Sequence, residues 1–396
     1  MRTDNLKKAL QPYEAKLQAQ ERFRKLIGVK EVNGGPTYEK YIVGPIERFE
    51  RRKNAFMTAL PDHPFGREFR EQFKARTGHD NFITSLPYSE LESDDHIGQS
   101  LGASAWRLCR EYSPKTLPVT PSEARYEATS RSEMSRLIKK VGLLFGAEMV
   151  HITKVDPRWI YKGLEIPHEY AIIVAIHHEH SLIDTAPSHF SALSTAQVYS
   201  KLKFITSQLA DFICGLGYDA AYRETLGLNP EMLMVPLAID AGMGEFARNG
   251  RVLSPEFGIN MRLKAVTSDL PLEVDKPISF GVHEFCMICE HCALYCPAKA
   301  IPFGPPTEEP PTIHNNPGFK KWYERADRCL TFWSVNKKKW LSCGGRCISV
   351  CPWSKPLSSF HNMVRWTAIH SPSIFKKMLI WSDKVFYRRK KSIKEL

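Results

Sequence analysis

The chain lacks any uninterrupted apolar stretch long enough to cross a bilayer, which takes about 20 residues. Its opening, MRTDNLKKALQPYEAKLQAQERFRK, is polar and has no apolar core of the kind a secretory signal needs. Arg51-Arg52 is followed by Lys53-Asn54 and lies too far in for a twin-arginine export signal. As it stands the sequence reads as cytoplasmic, and as exported and membrane-associated only if an export segment has been removed from its front. No GxGxxG follows a strand pattern, which weakens a Rossmann dinucleotide reading. Cysteine is scarce outside one region. Only Cys109 and Cys214 of the ten cysteines lie elsewhere, and these read as buried thiols. Acidic residues are also in deficit, 43 against 55 Lys and Arg, a formal charge of +12.

That positive excess calls for a negatively charged partner. Much of it gathers at the end, in Lys376, Lys377, Lys384, Arg388, Arg389, Lys390, Lys391 and Lys394, interleaved with Phe375, Trp381, Phe386 and Tyr387. The segment reads either as a solvated basic tail or as an interfacial helix meeting anionic lipid or an acidic electron donor. No nucleic-acid-binding motif accompanies the charge, so nucleic acid is not expected as a partner.

Eight cysteines fall within the 66 residues from Cys286 to Cys351. Cys286, Cys289, Cys292 and Cys296, followed by Pro297, have the spacing C-x2-C-x2-C-x3-C-P of bacterial ferredoxins. Three closely spaced thiolates grip one cubane, and the proline turns the fourth toward a neighbour. One 4Fe–4S cluster is thus expected on Cys286, Cys289, Cys292 and Cys351, and another on Cys296, Cys329, Cys343 and Cys347. The second half departs from the ferredoxin pattern, with thirteen residues between Cys329 and Cys343 and three between Cys343 and Cys347. Disulfides would favour a small secreted scaffold, and structural zinc would favour paired CxxC knuckles. The region reads as an electron-transfer module.

The length suits two or three domains with real cores. Residues 1–129 read as an irregular N-terminal region wrapping a core, with a helix over Asn5–Leu26. An α/β pattern occupies 130–280. It comprises a helix in SEMSRLIKKVGLLFGA, strands in AEMVHITKV and EYAIIVAIHHE, a helix over Ser194–Leu216 and an apolar run from Met232 to Ala238. The cysteine module occupies 281–360 and the basic tail 361–396. His178, Glu179 and His180 look metal-like, but neighbours on a strand point to opposite faces, so they read as a strand end. Between Asp240 and Ile278, Gly242, Gly244, Gly250 and Gly258 mark where backbone must bend or come close to something. With Arg248 and Asn249, the first three of these glycines are the candidate contacts of a large flat cofactor between the α/β domain and the cysteine module.

AGMGEFARNGRVLSPEFGINMRLKAVTSDLPLEVDKPI followed by FCMICEHCALYCP resembles the corrinoid-dependent reductive dehalogenases. The similarity extends through IDTAPS, VYSKL and LADFICGLGYDA, and faintly to GPIERFERRKNAF, covering roughly residues 40 to 360. The resemblance implies a nitroreductase-like α/β domain that binds cobalamin or a related corrinoid base-off, followed by a bacterial ferredoxin-like module with two 4Fe–4S clusters. Asp94-Asp95-His96-Ile97-Gly98 is one residue short of a DxHxxG box, in keeping with a corrinoid lacking a histidine beneath its metal. The implied substrate is a small organohalide, and the implied electron donor a ferredoxin, a flavodoxin or a membrane reductant. Two catalytic positions carry over: Tyr199 as proton donor, and Arg262 as the basic residue beside it. A phenol is a poor acid at neutral pH, and a neighbouring guanidinium, charged throughout, stabilises the phenolate left behind. Trp333 and Trp340 are candidate pocket walls. The related epoxyqueuosine reductases use an acidic donor and commonly carry a WxGK-type segment where this chain has EFARNG, so Tyr199 and this segment argue against that reading. A corrinoid or electron carrier without catalysis would need no enclosed substrate pocket, so a cavity above the cobalt face that contains Tyr199 is what would separate the two readings.

Overall fold

The computed structural model describes residues 2–58, 120–225, 230–335 and 345–386, with scattered positions between 67 and 105. Cys109, Cys343, Trp340, Asp94 to His96 and the tail from Tyr387 onward lie outside the described residues.

Helix α1 (Arg2–Ile27) lies against helix α2 (Arg131–Leu144), burying Leu10, Leu17 and Ile27. It is tied down by Lys16 and Gln20, which donate to the carbonyls of Ala147 and Glu148, and by Arg24, which pairs with Glu256 at 2.5 Å. Helix α2 begins where Ser130 accepts from the Glu133 amide, a serine N-cap. Four strands follow: β1 (Met149–Lys154), β2 (Tyr170–His177), β3 (Ala220–Arg223) and β4 (Met261–Ser268). They form one antiparallel sheet in the order β1-β2-β4-β3, with Ile173 opposite Ala265 and Ala221 opposite Thr267.

Strand alternation sorts the apolar residues into two cores. Val150, Ile152, Ile172, Val174 and Val266 face α2 and the long helix α3 (His189–Gly215). Ala171, Ile173, Ala175 and Ala265 face Trp159, Tyr38 and helix α4 (Met234–Asp240). Both faces are therefore covered, an α/β architecture, and this is why β2 reads as a continuous apolar run. Helix α3 starts earlier than the expected Ser194, because Ser188 and Ser191 form a reciprocal capping box ahead of it.

The cysteine region follows β4. It contains helix α5 (Val282–Ile288) and helix α6 (Ala326–Val335). The described chain ends in a hairpin of α7 (Ser359–His370) and α8 (Ser373–Phe386), with α7 against α1 and α8 against α5.

Candidate active site

On the α3 face of β4, apolar residues give way to charge. Val266 belongs to the core, but Lys264 and Arg262, each two residues further back, continue the same face as buried cations. Lys264 reaches the Tyr222 hydroxyl at 2.6 Å and the Glu224 carboxylate at 2.9 Å. Lys203 on α3 joins the same carboxylate at 3.6 Å. One turn earlier on α3 stands Tyr199, half-buried, with the Arg262 guanidinium carbon 5.7 Å from its ring centre. Arg262 also donates to the Met261 carbonyl at 3.2 Å. The two residues singled out by sequence are thus brought together from elements 63 positions apart.

Two further residues join them, one that the sequence reading set aside as part of a strand end and one that it did not single out. His178, just past β2, is fully buried. Ser194 Oγ lies 3.3 Å from its Nδ1, Asn260 donates to its carbonyl, and its Nε2 has no hydrogen-bond partner among the described residues. Burial, then Arg262 and Arg251, push its pKa well below the usual histidine range, so the ring is neutral. Arg251 is the second. Burial opposes its charge, but the anionic forms of Cys347, Glu324, Tyr199 and Cys329 outweigh that and hold it cationic. Its buried Nε has no hydrogen-bond partner among the described residues. Arg251 is therefore within electrostatic reach of both Cys329 and Cys347 and of Tyr199.

The described cysteines of the region gather in two adjoining neighbourhoods, with Cys347 packed in both and Cys292 against Cys296 rather than with Cys286 and Cys289. Cys286 and Cys289 are buried together with Phe285 and Trp353, with Cys347 and Cys351 packed against them. Burial pushes the Cys286 thiol up to about 12, with the Cys351 charge adding to it. Cys289 and Cys292 are raised well above their ordinary value by burial and by their companion thiols, Cys286 and Cys351 among them. Cys296 is buried beside Ala293, Ala300 and Ile301, with Cys292, Cys329 and Cys347 against it. Thiols that resist one another's ionisation in a buried site call for a cationic centre among them. Among the described residues, no group of three or more His, Cys, Asp or Glu is gathered as for a single metal ion.

Arg248 serves this region rather than a cofactor pocket. Fully buried, it donates twice to the Cys286 carbonyl, at 3.1 and 2.9 Å, and to the carbonyls of Pro302 and Gly304, both at 2.9 Å. Its guanidinium stacks 4.7 Å from the Trp322 ring. The glycines at 242 and 244 are likewise accounted for by the chain itself. A Cβ at Gly242 would come within 2.0 Å of the Lys276 carbonyl oxygen, and one at Gly244 within 2.2 Å of that of Leu253.

A cavity of about 370 Å³ opens between the sheet domain and the cysteine region, walled by Tyr38, Trp159, Met234, Phe319 and Trp322, with Gly250 on its rim. Gly250 has a left-handed backbone (φ +74°), and a Cβ there would press on the Glu324 carboxylate. Lys321, also in the wall, is pulled down to about 8 by burial against the counter-effect of Glu324. Next to Gly250, Asn249 is buried with neither its amide oxygen nor its amide nitrogen partnered among the described residues. Trp333 stacks near Phe56, 5.9 Å between ring centres, and Phe56 lines the cavity. Tyr199 and Arg262 are not in its wall; Gly250 and Glu324 on one side and Arg251 on the other link the two places.

No family model matches the chain. It is 29% identical over 308 residues to a tetrachloroethene reductive dehalogenase of Sulfurospirillum multivorans, covering 68% of the chain and 60% of that protein. It is 30% identical over 292 residues to a tetrachloroethene reductive dehalogenase of Desulfitobacterium hafniense, covering 61% and 52%. A shorter match, 26% over 203 residues, reaches an epoxyqueuosine reductase of Salmonella typhimurium. The chain spans a little over half the length of the dehalogenases it matches. Among solved structures, a catabolic reductive dehalogenase in complex with 3-bromo-4-hydroxybenzoic acid superposes with a TM-score of 0.68 at 22% identity, over 92% of this chain and 50% of that one. That likeness is one of fold. By sequence the chain is similar to the reductive dehalogenases, and it shares their fold.

Proposed function

We propose that the protein is a corrinoid- and iron–sulfur-dependent reductive dehalogenase acting on an organohalide, R–X + 2 e⁻ + H⁺ → R–H + X⁻. In this reading the sheet and its helices are a nitroreductase-like domain that binds the corrinoid base-off, and the cysteine region is a ferredoxin-like module. The observation that carries it is Arg262 set against the Tyr199 ring, with Arg251 in electrostatic reach of Tyr199, Cys329 and Cys347. It joins an electron-carrying region to a proton-carrying side chain.

The residues fit the cofactors. Cys286, Cys289, Cys292 and Cys351 would hold one 4Fe–4S cluster, and Cys296, Cys329, Cys343 and Cys347 the other. A cubane binds each thiolate through a different iron, so its ligands stand further apart than those of one ion. The unpartnered amide of Asn249 and the bare backbone at Gly250 suit the amide-fringed rim of a corrinoid, with Gly242 and Gly244 shaping the loop beneath and Arg248 locking it to the cysteines. When bound, the corrinoid supplies low-valent cobalt that breaks the carbon–halogen bond, and the clusters supply the electrons.

The chain's own part is the proton. The Tyr199 hydroxyl gives it up, and Arg262, charged at any working pH, steadies the phenolate that remains. His178, held neutral, leaves the positive charge of the site to Arg262 and Arg251. The electron donor in this reading is a ferredoxin, a flavodoxin or a membrane reductant.

The test is halide release by anaerobic protein reconstituted with corrinoid, iron and sulfide, supplied with an artificial reductant and tetrachloroethene or 3-bromo-4-hydroxybenzoate. Halide release with matching EPR changes at cobalt is expected. A fully loaded protein that frees no halide from a panel of haloalkenes and haloaromatics would overturn the reading.

A further inference from the structure

The terminal hairpin turns apolar stripes outward. On α8, Ile374, Met378, Trp381 and Val385 recur at steps of four, three and four residues, so they form one face. All four are exposed, Trp381 to 65%. On α7, Phe360, Met363 and Trp366 follow one another at three-residue steps and are exposed as well. Phe386, at the end of α8, is 82% exposed. An amphipathic helix on a globular protein normally buries such a stripe. A second, inward side buries Arg365, Ala368 and Asp383 and packs Ile369, Leu379 and Ile380 against the cysteine region, so the outward stripe is additional.

The charge on this hairpin is one-sided. Lys377 and Lys384 are exposed and, at helical spacing, lie beside the α8 stripe. From Ser359 to Phe386 the sole acidic residue is Asp383. It is buried, 3.4 Å from His291 and 3.8 Å from Lys355. The outward face thus offers aromatics, aliphatics and ammonium groups without a carboxylate.

We propose that the α7–α8 hairpin is a lipid-binding element that lays this face on an anionic bilayer surface. Two tryptophans with phenylalanines, flanked by lysines, suit the boundary between headgroups and acyl chains. An acidic protein would answer the lysines but would leave the long apolar stripe uncovered, whereas lipid answers both. No described helix is long and apolar enough to cross a membrane, so the hairpin would lie in the surface. Its inner side meets the cysteine region. Helix α8 lies against α5, which carries Cys286, and a crevice of about 400 Å³ separates α7 and α8 from Phe285 and Trp353. Docking would therefore turn the first set of cysteines toward the bilayer. This inference goes beyond the dehalogenase reading and does not depend on it.

The test uses the full chain, anaerobically reconstituted, in flotation with vesicles of phosphatidylcholine alone and of phosphatidylcholine mixed with phosphatidylglycerol. Flotation with the mixed vesicles is expected, at least about tenfold tighter than with neutral ones and weakened by salt. Tryptophan emission should shift to the blue on binding. Ile374→Ser/Met378→Ser/Trp381→Ser should abolish flotation, and Lys377→Gln/Lys384→Gln should weaken it several-fold. These side chains are exposed, so circular dichroism should be unchanged, as should halide release with a soluble reductant. Protein that stays unbound with mixed vesicles overturns the proposal. So do variants that float like the parent, and saturable binding of an acidic flavodoxin that these variants lose while vesicles do not compete.

Discussion

Arg262 holds its guanidinium carbon 5.7 Å from the centre of the Tyr199 ring, from the buried end of a strand to the flank of the helix above it. A cation so placed is attracted to the face of the ring. Tyr199→Phe removes the hydroxyl and almost no volume, so stability should fall by only about 1 kcal/mol. Turnover should fall by about 10²–10⁴, the usual worth of general acid catalysis. Corrinoid and iron contents should be unchanged. Arg262→Met should lose activity in the same way, and the double variant should be little worse than either, because the two act as a unit. A Tyr199→Phe enzyme that loses cofactor in step with activity would make the tyrosine structural.

Anaerobic protein should carry about eight irons and eight labile sulfides per chain, the sum of two four-iron clusters. Cys296→Ser should damage the second cluster more than the first, since Cys296 packs with Cys329 and Cys347. Arg248→Met should lower iron retention as a whole, because it strips donors from the carbonyls of Cys286, Pro302 and Gly304 at once. The expected stability loss is about 2–4 kcal/mol, from buried carbonyls left without partners. Iron and sulfide assays beside thermal unfolding would check it; an Arg248→Met protein with full iron and unchanged unfolding would remove the clamp.

Arg251 separates electrostatics from proton delivery. Its cation lies in reach of Cys347 and Cys329, so Arg251→Met should make the second cluster harder to reduce, on the order of tens of millivolts. The first cluster should move less. Redox titration followed by EPR reads this directly, whether or not turnover is measured. Equal shifts in both clusters would place Arg251 elsewhere in the electrostatics of the molecule.

What the sequence disclosed follows the range of the forces involved. The cysteine spacing is local, and thiols on one short loop announce themselves. Tyr199 and Arg262 lie 63 residues apart, and only the resemblance joined them; no periodicity could. His178 was passed over, with Glu179 and His180, because adjacent residues on a strand point to opposite faces. That argument is silent about Asn260, Ser194 and Arg262, which come from elsewhere in the chain to surround it. Arg248 looked like part of a cofactor cradle because it sits among glycines, yet its partners lie 38 to 56 residues downstream. Gly242 and Gly244 misled in the same way, since the backbones that crowd them belong to Lys276 and Leu253. The start of α3 was missed for a smaller reason: its capping box closes with Ser191 rather than with the Glu or Gln that usually marks one.

The last prediction concerns pH and lies outside the chemistry. Asp240, at the end of α4, accepts hydrogen bonds from the Tyr38 hydroxyl at 2.6 Å and from Trp159 Nε1 at 3.2 Å. Burial is the largest influence on its carboxyl and raises it to about 7, although both hydrogen bonds favour the anion. In the unfolded chain the same group titrates near 4. The folded form therefore binds this proton more tightly, and the stability it contributes is complete below pH about 4 and lost as pH rises to about 7. Asp240→Asn keeps the shape and never ionises; its one amide oxygen accepts from Trp159 Nε1 while its amide nitrogen donates to the Tyr38 hydroxyl oxygen. Relative to the parent, the variant should gain stability as pH rises from 4 to 8, by at most about 4 kcal/mol for three pKa units. Denaturant or thermal unfolding of both proteins across that range would show the two curves diverging with pH. Curves that stay parallel would mean that Asp240 is ionised in the folded protein as readily as in the unfolded one, and that Tyr38 and Trp159 hold it as an anion.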